Sequence, residues 1–215
     1  MNCEQCQAIE TQFDHEVAAS KVRKYHQSGP QKESKILIDA LIELGVEGYA
    51  LLDVGGGFGV LEYELLKAGL SSATNVESSS AYLEEARSEA IRQAVLDRIS
   101  LIHGDFVSVK HQISPADIVT LDKVICCYDD MVSLVSASVE KTTKLYGLIY
   151  PRDTWWVRVS IMVENLIRKI KGSNFRVIVH PASEIDRIVK DNGLKLAFCR
   201  NLIDWQIVIY TRETA

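Results

Sequence analysis

The sequence lacks any apolar run of the roughly 18–20 residues that a membrane-spanning helix requires. It also has no internal repeat and no low-complexity segment. Its first twenty residues carry four acidic residues and no apolar core, so we expect no signal peptide. These absences together predict a protein without a transmembrane segment.

Cysteines are few, and their number does not suit a disulfide framework. There are five, and Cys126 and Cys127 are adjacent, which is typical of a reducing compartment and predicts a cytoplasmic location. Cys3 and Cys6 form a CxxC pair, but a zinc site needs four ligands and no second pair follows. We therefore expect free thiols and no metal.

An excess of basic residues is also missing. Lys and Arg number 24 against 29 Asp and Glu, which gives a net charge of −5. Nucleic-acid-binding proteins usually carry a basic surface, so a nucleic acid is not the expected partner, although a local basic patch stays open. The sequence says nothing about the oligomeric state.

The residues that are present make up an ordinary globular domain. Hydrophobic residues account for 47% and charged residues for 25%, which excludes disorder, collagen and coiled coil. A chain of 215 residues suits one domain, which at this size buries about 70% of the surface exposed by its unfolded chain. The chain therefore needs neither a disulfide nor a metal to fold.

Short apolar segments alternate with helical patterns through the middle of the chain. Continuous apolar runs of this length are typical of strands buried on both faces of a parallel sheet. The alternation predicts a doubly wound α/β fold. The predicted strands cover 49–54, 73–77, 98–102, 117–127 and 144–150, and the predicted helices cover 59–68, 79–94 and 130–143.

The N-terminal part departs from this alternation. Apolar spacing predicts one helix over 4–27 and a second over 35–44, with Ser34 as its cap. We assign residues 1–33 to an N-terminal helical segment that covers the site, and 34–215 to the main domain.

The stretch 152–180 reads as an insertion after the fifth strand. It begins with an amphipathic helix over 153–171, whose apolar stripe we expect to pack against the domain, and continues with a strand over 175–179. Basic residues at its end, Arg168, Lys169 and Lys171, leave contact with an anionic membrane surface open. The chain then continues with a helix from Ser183 to about 191 and two strands over 194–200 and 205–212, which the short link predicts to be antiparallel.

The strongest motif is a glycine loop between the first of these strands and its helix. The segment Leu51–Gly59 runs from an apolar strand through Asp53 into Gly-x-Gly-x-Gly. A dinucleotide fingerprint would be Gly-x-Gly-x-x-Gly with a pyrophosphate at the helix N-terminus. A carboxylate at Asp53 would repel a pyrophosphate and suits a cation, such as the ammonium of an amino-acid moiety. A glycine turn without a ligand is the remaining alternative.

Two further acids follow the next two strands. Glu77 lies 24 residues after Asp53, one β-α-β step along, where a carboxylate can accept both hydroxyls of a ribose. Asp105 in Gly104-Asp105-Phe106 could accept an adenine amino group, or it could cap a helix. All three acids are predicted at the carboxyl ends of strands, where open α/β sheets bind ligands.

Together with residues 117–127, these segments resemble the class I S-adenosylmethionine-dependent methyltransferases. The resemblance implies a Rossmann-like sheet of seven mostly parallel strands, an antiparallel last strand and helices on both faces. It implies S-adenosylmethionine as the cofactor. The residues that it implies for cofactor binding are Asp53, Gly55, Gly56 and Gly57 at the methionine part, Glu77 at the ribose, Ser78, Asp105 and Phe106 at the adenine, and Leu121 and Asp122 beneath the cofactor.

The chain departs from the family at the adenine site. Ser78 stands where the family often has an apolar residue, so adenine packing would fall to Phe106 or Tyr82. The segments 25–30, 122–128 and 150–156 resemble a bacterial subgroup of uncharacterised methyltransferase-like proteins. There is also a distant similarity to the magnesium-protoporphyrin and ubiquinone methyltransferases.

A methyl carbon on a sulfonium is already electrophilic, so such an enzyme mainly aligns a nucleophile for in-line displacement. A hydroxyl or ammonium nucleophile also needs a general base. The candidates are Tyr128, Asp129, His180 and His26, although Asp129-Asp130 more often caps the following helix. Arg152, Trp155 and Trp156 are candidates for contact with the acceptor or, alternatively, for core and surface packing.

The sequence therefore predicts methyl transfer to an oxygen or nitrogen nucleophile of a small molecule. Two alternatives stay open: a methyltransferase acting on RNA or protein, and a module that binds the cofactor without transferring its methyl group. No Asn-Pro-Pro-Tyr-like tetrapeptide follows the fourth strand, which disfavours methylation of a base amine.

Overall fold

The computed structural model describes residues 4–212, and it forms one seven-stranded sheet with helices on both faces. The strand order is β3-β2-β1-β4-β5-β7-β6, and only β7 runs antiparallel to its neighbours. This confirms the predicted fold class. The strands are β1 (Ala50–Val54), β2 (Ser72–Glu77), β3 (Ile99–His103), β4 (Ala116–Asp122), β5 (Thr142–Pro151), β6 (Leu194–Asn201) and β7 (Trp205–Arg212).

Nine α-helices are described between residues 4 and 212. Their bounds are α1 (Glu4–Gln12), α2 (His15–Ser28), α3 (Lys32–Leu44), α4 (Val60–Lys67), α5 (Ser80–Arg92), α6 (Phe106–Val109), α7 (Met131–Glu140), α8 (Trp155–Ile170) and α9 (Ala182–Asp191). None of the helices in this range is long and apolar enough to cross a membrane.

The sheet is buried on both faces because successive residues of its strands point to opposite sides. Ile118 on β4 packs into one apolar cluster with α3 and α4, while Val119 packs into a second cluster with α7 and α9. Ile209 and Val208 on β7 divide between the same two clusters. The continuous apolar runs read from the sequence are therefore the strands of a doubly covered sheet.

The predicted N-terminal helix over 4–27 is wrong in one respect, since two helices occupy this segment. Asp14 lies between them with extended backbone, and its carboxylate accepts a hydrogen bond from the Val17 amide at 2.9 Å. This is an N-cap, which begins a new helix. The predicted Ser34 cap is also wrong: α3 begins at Lys32, so the assigned boundary between 33 and 34 falls inside a helix.

Three other expectations need correction. The fourth strand ends at Asp122, and a short 3-10 turn at Ile125–Cys127 follows instead of more strand. Residues 175–179 form no strand. The Val177 amide donates a hydrogen bond to the Asn165 side chain, and the Ile178 amide donates one to the Cys126 carbonyl. The apolar stripe of α8 does not pack against the domain but faces outward. The predicted thiol pair at Cys3 and Cys6 lies outside the described residues and side chains.

Candidate active site

A cavity of about 260 Å³ opens at the carboxyl ends of β1, β2 and β4. The chain passes from β1 to β2 and β3 on one side of the sheet and returns to β4 on the other. This makes the carboxyl end between β1 and β4 a topological switch point, the place where open α/β sheets bind ligands. The glycine loop and three acids line the floor of the cavity, and α1 and α2 contribute to its roof.

The glycine loop has a backbone that other residues rarely adopt. Gly55 and Gly57 have φ angles of +67° and +58°, in the left-handed region that favours glycine. A Cβ at Gly55 would lie 2.5 Å from the Cγ2 atom of Val124, so a side chain there would collide with the loop after β4. Both glycines and Gly56 line the cavity, where their backbone is open to a ligand.

Glu77 lies at the end of β2 and holds the loop in place. Its Oε2 accepts a hydrogen bond from the Gly57 amide at 2.9 Å, and its Oε1 accepts one from the Ser79 amide at 2.8 Å. Burial raises the pKa of Glu77, and these two hydrogen bonds oppose the rise. Glu77 also lines the cavity, and a carboxylate oxygen can accept more than one hydrogen bond, so the predicted contact with a ribose fits this position.

Asp53 is fully buried at the end of β1, on the cavity floor. Its Oδ1 accepts a hydrogen bond from the Thr120 hydroxyl at 2.6 Å, while its Oδ2 has no hydrogen-bond partner among the described residues. Burial raises the pKa of Asp53 to about 7, and the nearby Asp122 carboxylate adds to the rise. Burial also raises the pKa of Glu62 well above its ordinary value, and the neighbouring Asp53 carboxylate adds to the rise.

Asp122 presents a second such oxygen at the end of β4. Ser34 donates a hydrogen bond to its Oδ2, and its buried Oδ1 has no partner within residues 4–212. Burial raises the pKa of Asp122, and the neighbouring Lys123 opposes the rise. Two of the acids that line the cavity thus each keep a buried oxygen to which no described residue donates. Because unsatisfied buried acceptors are costly, the arrangement favours a ligand that brings N–H donors and positive charge.

The roof of the cavity packs through an aromatic cluster. The Phe13 ring, between α1 and α2, lies 5.6 Å from that of Tyr82 and 5.4 Å from that of Phe175. The Ser79 hydroxyl donates a hydrogen bond to the Phe13 carbonyl at 2.7 Å, and Glu10 accepts hydrogen bonds from Ser80. These contacts fit the prediction that the N-terminal segment covers the site, and Tyr82 lines the cavity as the sequence suggested for an adenine.

Three lysines line the same cavity: Lys21 and Lys24 from α2, and Lys123 after β4. The Lys123 amine donates to Gln31 at 2.7 Å and lies 3.2 Å from the Glu33 carboxylate. Lys21 and Lys24 form no ion pair with any described residue. Burial lowers the pKa of Lys21, and the neighbouring charges of Lys123 and Lys24 lower it further. The sequence reading missed Lys21 and Lys24, since nothing in a polar helix marks which residues face a cavity.

Several predicted cofactor residues lie outside the cavity lining. Asp105 caps α6, since its Oδ2 accepts a hydrogen bond from the Ser108 amide at 3.0 Å. Its Oδ1 accepts one from the Tyr128 hydroxyl at 2.8 Å. Phe106 and Leu121 are buried in the core. Of the predicted adenine residues, the structure brings Ser78 to the cavity but not Asp105 or Phe106.

The four candidate bases are not among the cavity-lining residues. Tyr128 is engaged with Asp105, and the His180 ring lies 3.0 Å from the Tyr128 carbonyl oxygen. Burial lowers the pKa of His180. His26 pairs with Glu89 of α5 at 2.9 Å. Asp129 precedes Asp130, which caps α7 through the Ser133 amide, as expected for such a pair.

The predicted acceptor residues also lie away from the cavity. The Arg152 guanidinium donates to the Leu202 carbonyl at 3.0 Å and lies 5.8 Å from the Trp156 ring centroid. Trp155 and Trp156 lie at the exposed start of α8. These three residues therefore make packing and surface contacts in the structure.

Two buried polar residues of the site were missed although the sequence carried a signal for them. Asn75 in β2 donates to the Gly57 carbonyl at 3.2 Å, and Thr120 in β4 donates to Asp53. Thr120 lies within the apolar run Ile118–Leu121 of β4, and Asn75 is fully buried in β2. A polar side chain in such a strand requires a partner, which here is the cavity floor.

Comparison with known proteins identifies a related domain within this chain. Residues 52–147, from β1 to β5, match a family model described as a methyltransferase domain. Among curated proteins, no sequence matches this chain.

Solved structures share the fold at low sequence identity. The magnesium protoporphyrin IX methyltransferase from Synechocystis PCC 6803, solved with bound SAH, is 17% identical over 98% of this chain and 100% of its own, with a TM-score of 0.74. An O-methyltransferase family protein from Burkholderia thailandensis is 17% identical over 94% of this chain and 64% of its own, with a TM-score of 0.68. The cyclase SpnF is 11% identical over 84% of this chain and 82% of its own, with a TM-score of 0.63.

Proposed function

Because residues 52–147 form a methyltransferase domain of the class I superfamily, which uses S-adenosylmethionine, we propose that this enzyme methylates an oxygen or nitrogen atom of an anionic small molecule. The observation that carries the proposal is the composition of the cavity. Two acids that each keep a buried oxygen without a described donor line its floor, and two lysines that form no ion pair within residues 4–212 line its roof.

The floor residues suit the amino-acid end of the cofactor. Asp53 and Asp122 line the cavity, and their carboxylates would attract an ammonium group. The backbone of Gly55 and Gly57 allows close approach, and Glu77 would accept ribose hydroxyls while it holds the loop. These assignments agree with what the family resemblance implies for the same residues.

Bound S-adenosylmethionine supplies an electrophilic methyl carbon. The task of the chain is then to hold the acceptor in line with that carbon, and such positioning can contribute up to about 7–11 kcal/mol. The roof formed by Phe13 and Tyr82 would exclude water from the reacting atoms. The general bases predicted from the sequence are Tyr128, Asp129, His180 and His26. None of these four residues lines the cavity, so the role of general base stays a prediction for each.

Lys21 and Lys24 support an anionic acceptor. Each is a cavity-lining cation without an ion pair among residues 4–212, so a carboxylate or phosphate on the acceptor would give it a partner. The acidic chain as a whole, with a net charge of −5, favours a small molecule over RNA.

The test measures S-adenosylhomocysteine formation with panels of carboxylated, phosphorylated and neutral small molecules, RNA and protein. We expect turnover with an anionic small molecule. The double variant Lys21→Met/Lys24→Met should raise KM about tenfold or more for that acceptor, the scale of two lost charge-assisted hydrogen bonds. Its affinity for S-adenosylhomocysteine should be unchanged, and Arg87→Met, which removes an exposed cation outside the cavity, is the matched control.

Two outcomes favour the other functions. Turnover with RNA or protein alone would replace the small-molecule proposal. Tight cofactor binding without turnover on any acceptor would favour a module that binds without methyl transfer, and the cyclase SpnF illustrates that this fold is not confined to methyltransferases.

A further inference from the structure

Helix α8 displays a row of large apolar side chains to the outside of the molecule. Trp155 is 74% exposed, Met162 63%, Leu166 58% and Ile170 77%. Trp156, Val159, Val163 and Ile167 are also exposed. Eight exposed large apolar side chains on one helix of a folded domain indicate an interaction surface.

The exposed residues form one face of the helix. At 3.6 residues per turn, the eight side chains fall within an arc of about 140°. We call this arc the α8 apolar face; it comprises Trp155, Trp156, Val159, Met162, Val163, Leu166, Ile167 and Ile170.

The opposite side of α8 is attached to the domain. Val157 is buried, and the Asn165 amide side chain binds both the carbonyl and the amide of Val177, at 2.7 and 3.0 Å. Phe175, just after the helix, is buried and packs edge-on against Phe13 at 5.4 Å. The helix therefore uses its inner side for packing, which leaves the α8 apolar face outward.

Positive charge borders this face. Residues 155–176 hold five basic residues and one acidic residue, in a chain whose net charge is −5. On the helical projection, Arg158 and Lys169 lie along one side of the arc and Lys171 along the other. Lys169 and Lys171 form no ion pair with a described residue. A helix with an apolar face, tryptophans at its end and basic residues along its borders has the composition of a helix that lies in a membrane interface.

We propose that the α8 apolar face docks this protein onto the surface of an anionic lipid membrane. The apolar side chains would enter the boundary between headgroups and acyl chains, and the bordering basic residues would contact acidic headgroups. A second copy of the chain fits less well. In a two-fold interface, each patch meets its own counterpart, so the basic borders would face each other.

The test is co-sedimentation of the full chain with lipid vesicles. We expect binding to vesicles with about one third phosphatidylglycerol, weak binding to pure phosphatidylcholine, and release from the former at high salt. Each basic residue near such a surface strengthens binding roughly fivefold, so Lys169→Glu/Lys171→Glu should weaken it about 30-fold or more. Met162→Glu/Leu166→Glu should abolish it, because charged side chains would enter the apolar layer.

Matched control variants introduce the same changes of charge at exposed residues outside the α8 apolar face. Arg87→Glu/Arg200→Glu reverses two exposed basic residues outside α8, and Ile203→Glu places a charge on a 79% exposed apolar residue between β6 and β7. Both should bind vesicles like the unchanged chain. Binding of S-adenosylhomocysteine by every variant would show that it is folded, and it is read independently of any methyl transfer.

Three results would overturn the proposal. One is failure of the unchanged chain to bind anionic vesicles. Another is equal loss of binding in the control variants. The third is a dimer, detected by light scattering, that Met162→Glu/Leu166→Glu dissociates while vesicles are not bound, which would assign the face to a second copy of the chain.

Discussion

Affinity for S-adenosylhomocysteine should fall as the pH drops below about 7. Burial raises the pKa of Asp53 to about 7, so in the free protein this carboxyl takes up a proton across the neutral range. An ammonium group at Asp53 Oδ2 requires the ionised form. Ligand binding should therefore lower the pKa of Asp53. At any pH where the free protein has a proton on Asp53, binding should release that proton.

The size of the effect follows from the ionised fraction. With a pKa of about 7, roughly three quarters of Asp53 is ionised near pH 7.5 and about 3% near pH 5.5. The apparent dissociation constant should rise about 20-fold over this interval, or about 2 kcal/mol of binding free energy.

Calorimetric titration across this pH range, in buffers of different ionisation enthalpy, measures both the affinity and the proton released. Asp53→Asn should bind weakly and lose most of the pH dependence. Asp122 and Glu77, whose pKa values burial also raises, remain in that variant, so the difference between the two profiles isolates Asp53. Thr120→Val removes the hydrogen bond that favours the carboxylate and should move the midpoint to higher pH.

A constant affinity between about pH 5.5 and pH 7.5, with no proton released, would refute this reasoning. It would mean that Asp53 does not meet a positive group of the ligand. An unchanged midpoint in Thr120→Val would contradict the assignment of the titration to Asp53.

Two further predictions concern other acids. Glu77→Ala should weaken S-adenosylhomocysteine binding by about 1–3 kcal/mol in the same calorimetric assay, because it removes both the ribose acceptor and the partner of the Gly57 amide; unchanged affinity would contradict the assigned site. Burial opposes ionisation of Glu89, but hydrogen bonds from Arg92 and Gln93 outweigh it and lower its pKa from 4.5 to about 2. Glu89→Gln should therefore lower the free energy of unfolding at neutral pH by about 1–2 kcal/mol, after allowance for solvent screening. In urea denaturation this difference should disappear as the pH falls from about 4.5 toward 2, and a difference that persists at low pH would argue against it.

The sheet and its motif could be predicted from local sequence alone. The run Ala50–Val54 is apolar and short, the glycines after it have positive φ, and Glu77 follows one β-α-β step later. In a doubly wound fold, the carboxyl ends of parallel strands lie at the same edge of the sheet. The residues that follow each strand therefore lie close together. The position of Asp53, the glycine loop and Glu77 at the cavity was therefore predictable from the sequence, whereas their partners Thr120 and Asn75 were missed.

The roof was not predictable in the same way. Phe13 and Asp14 interrupt what reads as a continuous helical pattern, and Phe13 is held by contacts with residues far along the chain, including Tyr82 and Phe175. Lys21 and Lys24 differ from other surface lysines only in the cavity that they face. Contacts between distant segments decide these features, and hydrophobic periodicity carries no information about them.

Hydrophobic periodicity also misled at α8. An amphipathic pattern indicates that one side of a helix is apolar, but it does not indicate which surface covers that side. The expectation that this stripe packs against the domain failed because Val157 and Asn165, on the other side, make the attachment. Residues 175–179 have strand-like composition, yet they bind α8 and the loop after β4 and join no sheet.

The register shift between β6 and β7 has a consequence for colloidal behaviour. β6 is a terminal strand of the sheet, and its outer edge could accept a strand from another molecule. The shift between Leu196 and Phe198 interrupts the regular spacing of its backbone groups. Lys195 and Arg200 place exposed positive charges on the same strand. An irregular, charged edge is a poor template for edge-to-edge pairing, so this sheet ends at seven strands and resists growth into aggregates.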